Sequence, residues 1–127
     1  PTPDSIISFP DGVPGFEKCR RFVVVSPADA QPFQYLQGLD EPRPAFVAVD
    51  PTCALPGYRR VLSPADRVRL DAKDDDPLLW LAIVTLGDDN AVTVNLRAPL
   101  VINPRTMTGF QVMPHSSLYP IRQPLGV

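Results

Sequence analysis

Histidine is nearly missing from this chain: His115 is the only one in 127 residues. Cysteine occurs twice, at Cys19 and Cys53, and tryptophan once, at Trp80. These shortages remove whole classes of chemistry. A closed zinc site needs four nitrogen or sulfur ligands, which one His and two distant Cys cannot supply. The thiols read as reduced and partly buried, and their spacing alone does not establish a bridge. Ser116 and Ser117 stand beside His115. A hydrolytic triad also needs a carboxylate to hold the base and donors for the oxyanion, which adjacency in sequence does not provide. There is no Gly-x-Ser-x-Gly elbow, so His115 reads as a loop residue. No glycine-rich phosphate loop is present. The acidic stretches Asp74-Asp75-Asp76 and Asp88-Asp89 lack the alternating ligands and closing Glu of a calcium loop. The sequence therefore implies no cofactor, no metal and no enzyme.

Long apolar runs are also lacking. None reaches the roughly 20 residues of a membrane span, and no signal peptide is visible, so the expected location is the cytoplasm. The chain does not begin with Met, and a native N-terminal piece is allowed for. The formal net charge is −2 and the sequence pI about 5.2. That argues against direct nucleic-acid binding, which needs a basic face, but not against a basic protein partner.

Proline is abundant instead, with 17 residues spread along the chain against a typical ~5%. Proline removes a helix donor and clashes with the preceding turn, so few windows are left for helices. Phe22–Val25 reads as a buried strand closed by Ser26-Pro27. Phe33–Leu39 and Ala45–Val49 read as a strand pair joined by the stiff turn Asp40–Pro44. Ser63-Pro64-Ala65-Asp66 is the best helix start: a capping hydroxyl, Pro at the first position and an acid in the first turn. One or two helical turns, or a strand with a capped lead-in, would follow. Leu78–Leu86 reads as a central strand buried on both faces, and Gly87–Asn90 as a hairpin connection. Beyond it Val92, Val94 and Leu96 share one face and Thr93, Asn95 and Arg97 the other, as in a half-exposed antiparallel strand. Leu100–Ile102 and Phe110–Met113 complete the strands, with Thr106–Gly109 as the turn between them. The tail is too proline-rich to sit mid-sheet. The expected fold is all-β: one compact antiparallel β-barrel-like domain over 1–127, with at most one short helix.

Several ordered segments resemble one family, the flagellar assembly factor FliW. Thr93–Pro104 resembles its "nl-x-aP-x-vin" strand–turn–strand. Phe9–Phe16 is similar to its "FP-x-GiPGF" opening. Phe33–Leu39 and Ala45–Pro51 are similar to its "F-x-x-Lqsl" and "aFvvvdP" blocks. Gly109-x-Gln111-Val112 and Tyr119–Leu125 also fit. Only Pro1–Ser5 precede Ile6, where the family usually has a further strand. The resemblance implies a non-catalytic regulator of flagellum assembly with two protein partners. One is flagellin, held before export. The other is the RNA-binding translational regulator CsrA, whose repression of flagellin synthesis the freed factor would relieve.

Two sets of residues are candidates for those contacts. Asp74, Asp75, Asp76, Asp88 and Asp89 form an expected acidic rim toward the basic partner. Tyr35, Leu36, Phe110, Met113 and Tyr119 are the expected exposed apolar contacts for flagellin. Each also has a plain alternative, a solvated loop charge or a core side chain. Asn95 and Asn103 read as structural residues that bond backbone groups. A rival reading is a small-ligand or nucleotide-binding barrel. The Arg20-Arg21 pair suits it, but the Asp/Asn-x-Ser-x-x-Gly pattern that should follow is absent.

Overall fold

A computed structural model describes residues 3–113 and 118–125. Nine strands lie among the described residues: β1 Ile7–Ser8, β2 Arg21–Val25, β3 Gln34–Gly38, β4 Ala45–Val49, β5 Leu79–Leu86, β6 Val92–Val94, β7 Leu100–Asn103, β8 Thr108–Gln111 and β9 Gln123–Pro124. The single α-helix among the described residues, α1, is Pro64–Arg69. It begins as its sequence dictates. Ser63 Oγ accepts from the Asp66 amide, Pro64 needs no amide partner, and basic residues close the last turn.

The strands run β4-β3-β2-β1-β8-β7-β5, and β5 pairs back onto β4. Seven strands thus close a barrel, and β6 and β9 extend it from β5 as a flap. All pairings are antiparallel except one: Ser8 of β1 lies parallel to Thr108 of β8. The antiparallel barrel expected from the sequence is therefore the fold observed, with this one pair as its exception. β1 has only two residues and the parallel contact is a single pair, so the antiparallel ladder is barely interrupted.

Alternation along the strands produces two cores. Phe9, Phe22, Leu36, Ala48, Leu81, Leu100 and Ile102 fill the barrel interior. Phe9 and Phe22 meet edge to face there at 5.2 Å between ring centroids. Each such side chain contributes about 1.5–3 kcal/mol by leaving water. Gly109 is needed because a Cβ there would lie 2.5 Å from the Phe9 ring. The second core lies outside the barrel wall, where Trp80, Ala82, Val94, Val101, Phe110 and Val112 pack under Tyr58, Leu70, Tyr119 and Leu125. β5 faces both cores across Trp80, Leu81 and Ala82, as its uniform hydrophobicity predicts, but its far end at Thr85 and Leu86 is exposed.

The last hairpin is displaced from the sequence reading: the turn occupies 104–107 and β8 is Thr108–Gln111. Asn103 causes the shift. Its Oδ1 accepts from the Arg105 amide, and its carbonyl accepts from Met107 N at 2.8 Å. The chain therefore turns at once, with Met107 in the left-handed region at φ 54.

Candidate protein-binding surfaces

Asn103 is also the one fully buried polar residue of the described core. Its Nδ2 donates to the Leu70 carbonyl at 3.0 Å and to Asp76 Oδ2 at 3.1 Å. Asp76 accepts as well from the Lys73 amide and from Arg105 Nε. Those bonds, the Lys73 amide first and the Arg105 side chain next, hold its carboxyl down at about 2. Asp76 is thus not part of an acidic rim. Its side chain is only 6% exposed and pins the 71–77 loop to β7. Asp74 and Asp75, its neighbours, are exposed, and Asp74 stands 3.6 Å from Arg67.

Three of the five expected apolar contacts are buried. Leu36 points into the barrel and is fully enclosed. Phe110 lies in the outer core, and the Arg69 guanidinium sits over its ring at 4.3 Å. Tyr119 packs on Tyr58 at 4.5 Å between ring centroids, and its hydroxyl accepts from the Arg59 amide. Tyr58 in turn donates to the Leu96 carbonyl at 3.0 Å. Burial, with Tyr119 adding to it, pushes the Tyr58 phenol up to about 12. Alternation gives two faces to each strand, and along β5 and β7 both faces find cover. Tyr35 and Met113 are exposed as expected, at 39% and 60%. His115 and its flanking serines lie outside the described residues. Cys19 is buried and Cys53 exposed, and neither is bridged.

Two surfaces stand open. The first is the outer face of β2, β3 and β4. Val25, Tyr35 and Val47 stand in one cross-strand row, on the side opposite the interior Phe22 and Leu36. The segment 50–78 packs over the other half of the wall, and here Val25 and Tyr35 are exposed and Val47 half-buried.

The second is the barrel mouth. β4 and β5 are in register over only two pairs, Ala48↔Ile83 and Val49↔Ala82. Beyond Ile83, β5 pairs with β6 instead. The mouth this leaves is a cleft of about 380 Å³, floored by Val13, Phe46 and Ile83 and rimmed by Thr85, Thr93, Asn95, Gln111, Ile121 and Arg122. These strand residues face inward: Phe46 is opposite Leu36, Ile83 opposite Ala48, and Gln111 opposite Leu100. The cleft continues through Pro14 and Gln111 to Asp11, Glu17 and Arg69. Through Thr85, Thr93 and Arg122 it reaches Asp88 and Asp89. The sequence showed Thr93 and Asn95 sharing a polar face, but not that this face lines a mouth.

Among the described residues no group of His, Cys, Asp and Glu is placed to hold a metal ion, and no helix is long and apolar enough to cross a membrane. The cleft is open along its length, unlike the enclosed apolar pocket that a small-ligand barrel needs.

The family model of the FliW protein matches residues 1–125. The chain belongs to the FliW family. It is 37% identical over 123 residues to the flagellar assembly factor FliW of Syntrophotalea carbinolica, covering 97% of this chain and 88% of that one. The corresponding protein of Natranaerobius thermophilus is 35% identical over 124 residues, with 96% and 82% covered. A crystal structure of the flagellar assembly factor FliW superposes with a TM-score of 0.89 at 28% identity, covering 100% of this chain and 89% of that one. A role in flagellum assembly follows for this FliW-family chain, and its closed barrel shares the fold of that crystal structure.

Proposed function

We propose that this protein acts in the cytoplasm by binding flagellin and the translational regulator CsrA, relieving the repression of flagellin synthesis once flagellin has been exported. The observation that carries the reading is the family match along residues 1–125. The chemistry supports it in two places. The net charge of −2, with Asp74, Asp75, Asp88 and Asp89 exposed in two loops, suits a basic RNA-binding partner. The Val25–Tyr35–Val47 row, with Val25 and Tyr35 exposed, offers rigid apolar area to a flagellin segment, and exposed Met113 adds an adaptable one.

A translation assay tests the proposal. A reporter under a flagellin leader is repressed with CsrA, and the purified chain is then added. Expression should recover in proportion to the chain and fall again when flagellin is supplied. Repression that stays fixed at any concentration of the chain refutes the proposal.

A further inference from the structure

We propose that the groove across the barrel mouth holds an extended segment of a partner protein, apolar in its middle and basic toward its ends. The inference rests on the reading of the protein as a binder of other proteins and assigns a site to that binding. Three observations carry it.

The first is continuity. The central cleft shares Pro14 and Gln111 with the cleft on one side, and Thr85, Thr93 and Arg122 with the cleft on the other. One groove therefore crosses the mouth, and its floor of Val13, Phe46 and Ile83 is apolar.

The second is a set of unspent polar groups along the rim. The hydroxyls of Thr85 and Thr93, the Asn95 Nδ2 and the Arg122 guanidinium make no hydrogen bond among the described residues, whereas Asn95 Oδ1 is engaged by the Arg97 and Ala98 amides. A helix satisfies its own backbone and has no use for such groups. An extended segment presents carbonyls and amides at every residue, and these donors and acceptors match them.

The third is charge. At one end Asp88 and Asp89 are exposed, with no cation within ion-pair distance among the described residues. Asp89 does no more than accept from the Ala91 amide. At the other end Arg69 is already taken by Asp11 and Asp66, so Glu17, whose carboxylate only accepts from the Gly15 amide, sets the sign. Arg122 is the opposing charge, placed at the inner edge where main-chain carbonyls would pass. Both ends thus favour Lys or Arg on the occupant.

Fluorescence anisotropy on the full chain tests this with two labelled peptides that share a Val/Thr-rich core, one flanked by lysines and one by glutamates. The lysine-flanked peptide should bind at least about tenfold more tightly, the advantage shrinking as salt rises. The double variant Asp88→Lys/Asp89→Lys, confined to an exposed hairpin turn, should cut the preference severalfold, the Glu17 end being unchanged. Ile121→Glu, at a half-exposed position on the rim, should weaken both peptides. Equal binding of the two peptides, or none, overturns the proposal. Flagellin and CsrA are measured against the same variants. If both bind all forms equally, the groove assignment falls while the binding function stands. If neither binds the wild-type chain, the function itself falls.

Discussion

Replacing Asn103 by Leu isolates the one buried polar side chain on which the β7–β8 corner and the 71–77 loop both depend. Leu has the same branching and number of side-chain heavy atoms as Asn, so the change removes the hydrogen bonds without opening a cavity. It strips the Leu70 carbonyl of its 3.0 Å donor and the Arg105 amide of its 3.0 Å acceptor. A buried polar group left unpaired costs about 1–3 kcal/mol. The Leu70 carbonyl is such a group and the Arg105 amide is partly one, so the loss is roughly 2–4 kcal/mol, a large share of the 5–15 kcal/mol that holds a typical domain together. Urea denaturation followed by Trp80 fluorescence reads the loss directly, because Trp80 lies in the outer core beside Leu70. The midpoint should fall sharply with the slope unchanged. Asn103→Asp is the companion. It keeps the acceptor for Arg105 but sets a second carboxylate against Asp76, and should be at least as damaging. A loss under about 0.5 kcal/mol for Asn103→Leu would refute the reasoning, since surface substitutions away from such features stay within that range.

Four further predictions follow from the same geometry. The Asp76 carboxyl is held down to about 2 in the folded chain against about 3.9 unfolded, so the stability it lends is complete above pH ~4 and is lost as pH falls through about 2; the gap between wild type and Asp76→Asn, from acid-dependent urea curves, should close over that window. Tyr58 is raised to about 12 from about 10 unfolded, so its contribution is intact below pH ~10 and lost as pH rises through about 12; phenol absorbance should show a delayed component that disappears in Tyr58→Phe, which itself should cost about 1–2 kcal/mol for the bond to Leu96. Gly109→Ala drives a methyl into the Phe9 ring and should cost about 1–3 kcal/mol by thermal melting, whereas Tyr35→Ala, at an exposed position, should cost less than about 1 kcal/mol while weakening flagellin binding.

Much of this molecule is legible in its residues. The run Phe22–Val25, the pair around Asp40–Pro44 and the Ser63-Pro64 cap all form where local chemistry places them. Asp40 shows why the pair is stiff. It accepts from the Arg20 and Arg21 amides and from the Arg21 guanidinium, tying the turn to β2, and these bonds, the Arg21 side chain foremost, lower its pKa. What local pattern does not reveal is which of two faces is wet. Leu36, Phe110 and Tyr119 look like contact residues until the barrel encloses the first and the segment 50–78 packs over the other two. Asp76 looks like its acidic neighbours until Asn103 and Arg105, nearly thirty residues on, take its oxygens. The mouth is hidden for the same reason. It exists because β5 leaves β4 after two pairs, a long-range event that no window of alternation records.

The most direct test of the account is calorimetric titration of the purified full chain with monomeric flagellin and, separately, with CsrA. Saturable binding of each, weakened by salt for CsrA and by Tyr35→Ala for flagellin, is the predicted result. Absence of binding to both partners, by a chain that melts cooperatively, would contradict it.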